Sequence, residues 1–257
     1  MGRVRSGVWV VLAALGAALL VGCATTEQTG EKKKERTGRD EGERNITQVT
    51  TQKNEDVFPA VSPDGTRVAF MSRQKTVGDI PLNFDIWTVD VATHRVFTQI
   101  TNHPAHETSP SWSTDGRFIY FSSPRINDTW SVWRTSVRST GAATQITVRD
   151  QHDFDPKASA DGKKIVFTSQ NKYEILLADR AGKTWLLWKA GLPYIWTANA
   201  DGTELTQYGE GVDPAWSPDG QRIAFSSNVT GNWDIWIMNA DGSGLTQLTS
   251  FKTDEVQ

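Results

Sequence analysis

Pairs of ionisable residues recur at one position of the sequence, four and three residues before a proline. The pairs are Glu55-Asp56, His106-Glu107 and His152-Asp153; the fourth repeat has Glu210-Gly211, with a single acid, and Asp254-Glu255 stands in a similar register near the C-terminus. A ring of carboxylates and imidazoles could attract a basic segment of a protein partner. It could also hold a divalent ion through His106 and His152. The alternative is structural, because each acid could bond a backbone N–H of its own turn.

Other catalytic motifs are missing from the sequence. No Gly-x-Ser-x-Gly motif occurs, and Gly38 and Gly42 bracket Asp40 instead. The segment that begins at His106 lacks the second histidine of a His-Glu-x-x-His zinc motif, and a single cysteine excludes thiolate zinc sites. We therefore expect no cofactor and no catalysis. The net charge of −3 argues against nucleic acid as a partner.

Four segments with one order of residues position these pairs. Each contains a Pro-x-x-Ser-x-Asp-Gly turn, an apolar strand, an aromatic strand and a Thr-Gln strand, and the turns begin at Pro59, Pro110, Pro156 and Pro214. This turn chemistry between short β-branched and aromatic runs predicts four antiparallel strands, A to D, in each segment. One such sheet is marginal alone, so we expect the sheets to stack radially as blades of an all-β propeller.

The aromatic strands carry tryptophans at one register, and we expect these to pack between blades: Trp87, Trp133, Trp196 and Trp236. Trp130 and Trp233 lie three residues earlier, where partner contact is a weaker hypothesis.

The pattern Pro-x-Trp-Ser-Pro-Asp-Gly, followed by Asp-Ile-Trp and by Leu-Thr-x-Leu-Thr, resembles the repeat of TolB-family propellers. The resemblance covers residues 45–257. Because such propellers usually have six blades, we interpret the four legible repeats as part of a six-bladed ring and the chain as a fragment of a longer propeller. An open four-bladed arc is the alternative. Residues 45–50 are predicted as an additional D strand.

In a propeller, the D–A and B–C connections share one face around the central channel. The residue pairs are predicted in the D–A connections, as an acidic ring with two imidazoles. The third repeat carries an insertion with Trp185 and Trp188 that could overhang this ring. The insertion fits either a decorated B–C connection or a second C–D hairpin from a degenerate blade.

The N-terminus resembles the leader of bacterial lipoproteins. Arg3 and Arg5 precede an apolar stretch that ends in Gly22-Cys23. We interpret residues 1–22 as a signal peptide and residues 23–44 as the lipidated Cys23 with a flexible tether. An ordinary secretory signal or a single-pass anchor is the alternative. Ala24 follows the cysteine, which by resemblance favours the periplasmic face of the outer membrane.

The two resemblances together imply an envelope scaffold that catalyses nothing. In TolB-like proteins the propeller mouth engages a peptidoglycan-associated lipoprotein, so that is the expected partner class. The alternative function is a metal-dependent hydrolase or lyase, or a saccharide binder, that uses the central channel.

Overall fold

The computed structural model describes residues 47–50, 54–73, 83–95, 97–139, 141–171 and 191–250, together with the backbone of 175–178 and 184–187. Within these ranges the regular structure is all β, with four four-stranded sheets and one separate hairpin. No helix in the described ranges is long and apolar enough to cross a membrane.

The strands follow the four predicted repeats. The first blade contains β1 (Glu55–Val61), β2 (Arg67–Arg73), β3 (Asp85–Asp90) and β4 (Phe97–Gln99). The second contains β5 (Thr108–Trp112), β6 (Phe118–Ile126), β7 (Thr129–Ser136) and β8 (Ala143–Gln145). The third repeat holds β9 (Gln151–Ala158), β10 (Lys164–Asn171), the hairpin strands β11 (Ile175–Ala178) and β12 (Thr184–Leu187), then β13 (Pro193–Asn199) and β14 (Thr206–Glu210). The fourth contains β15 (Val212–Trp216), β16 (Arg222–Ser227), β17 (Asp234–Asn239) and β18 (Thr246–Gln247).

Each blade is an antiparallel A–B–C–D meander, as predicted. Strands A of successive blades, β1, β5, β9 and β15, contact one another, which places them at the inner edge of the arrangement. Blades that stack side by side around an inner edge form a β-propeller.

Three apolar clusters join successive blades. In the second blade, Ile119 and Phe121 pack toward the first blade, whereas Tyr120 between them packs toward the third. Because side chains alternate along a strand, each sheet has a front face toward the preceding blade and a rear face toward the following one. Trp133, Trp196 and Trp236 lie in successive clusters, which confirms the predicted packing role of these tryptophans.

The Ser-x-Asp-Gly turns are built alike in all four blades. In the first turn, the Ser62 hydroxyl donates to the Asp64 carboxylate at 2.6 Å and accepts from the Arg67 N–H at 2.9 Å. Gly65 has φ +71°, a conformation that costs a residue without a Cβ little. The hydrogen bond from Ser62, followed by that from the Thr66 N–H, lowers the pKa of Asp64 to about 2.

The insertion of the third repeat is a hairpin of β11 with β12 in the B–C connection. Strand β10 pairs directly with β13 on either side of it, so the insertion decorates the third blade and is not the remnant of another. The predicted additional D strand differs from the structure, because residues 47–50 carry no strand; residues 45 and 46 lie outside the described ranges.

Candidate binding face

The face formed by the D–A and B–C connections, called the binding face below, carries the residue pairs at its inner part. Glu55 and Asp56 lie inside β1, and His152 and Asp153 lie inside β9. This corrects the prediction that these pairs belong to connections. The physical reason is a β-bulge at the residue before each proline, beyond which strand A resumes its pairing with strand B.

The remaining pairs sit at the strand ends. His106 and Glu107 immediately precede β5, and Glu210 is the last residue of β14. The four pairs within the described residues therefore reach the same end of the blades, whereas Asp254 and Glu255 lie outside the described residues.

Three carboxylates of this face pair with arginines. Glu107 pairs with Arg125, and Glu55 pairs with Arg73. Asp153 accepts two hydrogen bonds from Arg149, at 2.6 and 3.1 Å. Glu107 and Asp153 are both 0% exposed, and a carboxylate is buried at acceptable cost only with a partner. The predicted acidic ring with two imidazoles is therefore neutralised at these three carboxylates.

Two of the arginines occupy equivalent places although they come from different parts of the repeat. Arg125, near the end of β6, lies over the rings of Phe121 and Trp133. Arg149, in the connection before β9, lies over the equivalent rings of the third blade, Phe167 and Trp196. Its Cζ atom is 5.3 and 4.1 Å from their centroids. Each guanidinium thus combines a buried ion pair with cation–π contacts.

The fourth blade has no acid at the equivalent place, where Gly211 stands. A Cβ on Gly211 would lie 2.4 Å from Cδ2 of Phe225, so the aromatic ring fills the space that a side chain would need. The Gly211 N–H donates to the carbonyl of Pro193, as the Glu107 N–H donates to that of Phe84. The backbone contact between blades is kept while the ion pair is not.

The two imidazoles connect neighbouring blades. Nδ1 of His106 accepts the Phe84 N–H at 3.4 Å, and Nδ1 of His152 accepts the Trp130 N–H at 3.2 Å. Burial, with a smaller effect of Arg73, lowers the pKa of His106 and favours the neutral ring. The described residues contain no group of three or more metal-binding side chains, so the structure gives the metal hypothesis no support.

Apolar side chains protrude from the connections of the binding face. Those exposed by 46% or more include Val148, Leu192, Val229 and Trp233 in the connections and Ile126 at the end of β6. Of these, the sequence singled out only Trp233, which is 47% exposed. Trp130 is half-buried and packs on Phe154, with the two ring centroids 5.4 Å apart. The sequence signal that could have found the other exposed side chains is the presence of apolar residues within connections, where turn chemistry would favour polar ones.

Sequence reasoning also missed a polar cluster on strands A, at the inner edge of the blades. The Ser109 hydroxyl donates to the Asp155 carboxylate at 2.5 Å, and Lys157 and Asp213 lie close by on neighbouring strands A. Burial lowers the pKa of Lys157; burial, with the charge of Asp155, raises that of Asp213. The sequence signal that could have found this cluster is the residue before each repeat proline. The bulge gives that residue a φ of +53° to +55° and so turns its side chain out of the regular strand pattern.

Several predicted residues are not described. Cys23, the leader and residues 23–44 lie outside the described residues, as does Trp188. For Trp185 only the backbone, in β12, is described.

Glu107 predicts a pH dependence of folding. Burial raises its pKa from 4.5 to about 7, against the opposing effect of Arg125. The folded state therefore binds this proton more tightly than the unfolded state, and the contribution of Glu107 to stability falls as pH rises from about 4.5 to about 7. We expect the free energy of unfolding of the native chain, relative to Glu107→Gln, to fall by up to about 3 kcal/mol over this window.

Urea unfolding of both chains between pH 4 and pH 8 measures this difference. Asp64→Asn is the control, because the pKa of Asp64 is lowered from 3.8 to about 2, so its effect on stability changes mainly below pH 4 and should stay nearly constant between pH 5 and pH 8. A difference between the native chain and Glu107→Gln that does not change with pH would contradict the raised pKa of Glu107.

Antiparallel four-stranded blades around an inner edge define the class of this protein, a β-propeller with short repeated strands. The chain belongs to the TolB beta propeller domain family, whose model matches residues 39–189. This confirms the family resemblance drawn from the repeat; the six-blade count stays a prediction.

Solved structures share the fold at low identity. The structure assigned as TolB from Agrobacterium tumefaciens is 20% identical at a TM-score of 0.55, covering 74% of this chain and 63% of that one. TolB from Acinetobacter baumannii is 19% identical at a TM-score of 0.52, covering 72% of this chain and 41% of that one. Acylaminoacyl peptidase from Pyrococcus horikoshii is 15% identical at a TM-score of 0.51, covering 76% of this chain and 32% of that one. No curated protein matches the chain. At these identities the likeness shows the fold alone, and the chain spans less than two thirds of each TolB chain.

Proposed function

We propose that this chain is a non-enzymatic scaffold of the cell envelope that docks a protein partner on its binding face. The observation that carries the proposal is the row of exposed apolar side chains on that face. They come from the second, third and fourth blades and the connections between them. Apolar anchors within a polar surround are typical of protein–protein contacts.

The buried ion pairs support the same role. Arg125 and Arg149 each join a carboxylate to an aromatic pair directly beneath the connections. Such networks hold the ends of strands in fixed positions, so the exposed apolar side chains are presented from a rigid base. A pre-organised surface loses little entropy when it binds.

The proposed partner class is a peptidoglycan-associated lipoprotein, by resemblance to the TolB family. Binding of such a purified protein to the full chain can be measured by biolayer interferometry. We expect Trp233→Ala to weaken binding about tenfold or more, the effect of losing an aromatic anchor. Leu192→Ala is expected to weaken it less.

Leu205→Ala is the matched control for Leu192→Ala. Leu205 is also exposed but lies in the C–D turn before β14, on the opposite face. We expect this variant to bind as the native chain does. No binding by the native chain would reject the partner class, and loss of binding only in Leu205→Ala would reject the binding face.

The envelope location rests on the leader and Cys23. We propose that the Cys23 thiol is acylated and anchors the chain at the periplasmic face of the outer membrane. Cys23→Ser is expected to abolish labelling by radioactive palmitate and to leave the precursor uncleaved. Labelling of that variant at the native level would contradict the lipid anchor.

A further inference from the structure

The second and third blades each hold a guanidinium over a phenylalanine and a tryptophan at the binding face. In the second blade, Cζ of Arg125 is 5.0 and 5.2 Å from the ring centroids of Phe121 and Trp133. Arg149 makes the same contact with the aromatic pair of the third blade. Because two arginines from different positions of the repeat converge on one aromatic place, that place favours a cation.

The fourth blade keeps the aromatic pair, as Phe225 and Trp236, but has a different residue where the second blade has its arginine. Arg125 stands four residues after the phenylalanine of the second blade. The residue four positions after Phe225 is Val229, an exposed valine. Strand B of the fourth blade therefore supplies no guanidinium to its own aromatic pair.

The D–A connection, which supplies Arg149 to the third blade, is shorter at the fourth. From Gln145, which pairs with the tryptophan of the second blade, to Asp153 the chain advances eight residues, and Arg149 lies midway. From the equivalent Gln207 to Gly211 it advances only four residues. The shorter connection has no counterpart of Arg149, so the fourth blade lacks both the arginine and the acid that holds it.

We propose that Phe225 and Trp236 bind an arginine side chain of the protein partner, at the place that the chain's own arginines occupy in the second and third blades. The inference rests on the proposed function, because it names a residue that the partner brings to the binding face. Trp236 is partly exposed, as is Glu210 at the end of β14 on the same face, so solvent reaches both. A guanidinium stacks on aromatic rings and pairs with carboxylates, and arginine is enriched among the anchors of protein contacts.

A short peptide, acetyl-glycyl-arginyl-glycinamide, tests this site on the purified full-length chain without any partner protein. The readout is the NMR signal of the Trp236 indole N–H, identified by its loss in Trp236→Phe. This N–H is buried and has no hydrogen-bond acceptor among the described residues, so its signal is sensitive to a group that enters beside the ring. We expect the arginine peptide to shift the signal and the uncharged citrulline peptide of the same shape to bind about tenfold more weakly.

Val229→Arg is expected to close the site from within, because it places an arginine at the position that Arg125 has in the second blade. This variant should keep the β-sheet circular dichroism of the native chain but lose the response to the arginine peptide. Val148→Arg is the matched control, since Val148 is also an exposed valine of the binding face and the substitution adds the same charge. We expect Val148→Arg to respond as the native chain does.

A Trp236 signal that does not respond to the arginine peptide at millimolar concentration, or that responds equally to the citrulline peptide, would overturn the proposal. So would an unchanged response in Val229→Arg, or loss of the response in both arginine variants, which would show a general effect of charge. Binding of the lipoprotein without a response to the peptide rejects only the arginine site. A response to the peptide without binding of the lipoprotein rejects only the partner class.

Discussion

Replacing Arg149 by methionine is expected to lower the free energy of unfolding by about 3–5 kcal/mol. The substitution leaves the Asp153 carboxylate, which is almost fully buried, without its bidentate partner. It also removes the guanidinium from the rings of Phe167 and Trp196. An unpaired carboxylate in the interior is among the costliest single defects in a folded chain.

Two further variants show whether that loss comes from the unpaired carboxylate. The free energy of unfolding of all three variants is measured by urea unfolding followed by tryptophan fluorescence. Arg117→Met breaks an exposed pair with Asp115 and should cost less than about 1 kcal/mol. The double variant Arg149→Met/Asp153→Leu removes both charges and should recover most of the stability lost by Arg149→Met. Equal losses for Arg149→Met and Arg117→Met would show that the buried pair has no special role.

Replacing Gly202 by alanine is expected to lower the free energy of unfolding by about 3–5 kcal/mol, because strain and overpacking add. Gly202 lies in the C–D turn of the third blade at φ +90°. A Cβ there would lie 2.0 Å from the carbonyl oxygen of Ile146 in the second blade. Since that oxygen belongs to backbone, relief requires the two blades to move apart.

Gly231→Ala isolates the strain alone. Gly231 has φ +98°, but an added Cβ meets no atom within 4 Å. We expect a loss of about 1–2 kcal/mol from the left-handed conformation. Thermal unfolding of both variants gives the comparison; equal losses would mean that the close approach between blades does not constrain the fold.

The sequence predicts the blades well because their signals are local. A serine, an aspartate and a glycine at fixed spacing determine each A–B turn, and the structure shows the same hydrogen bonds in all four, such as Ser62 to Asp64. Alternation along strands likewise predicts that Trp133 and Trp196 pack between blades.

The candidate site is harder to predict because its contacts are not periodic in sequence. Arg125 and Arg149 occupy equivalent places in two blades but come from different positions of the repeat, so counting residues does not find them. The bulge before each proline extends strand A past the register that the turn suggests, which misplaces Glu55 and Asp153. Exposure of Val148 or Val229 depends on the packing of connections, which no local pattern encodes.

Hydrogen–deuterium exchange of the full chain, with and without a purified peptidoglycan-associated lipoprotein, tests the binding face most directly. The account predicts slower exchange in the connections around Ile126, Val148 and Val229, with no change in the opposite turns around Gly65 and Gly242. Protection of those opposite turns, with the three connections unchanged, would contradict the assignment of partner binding to this face.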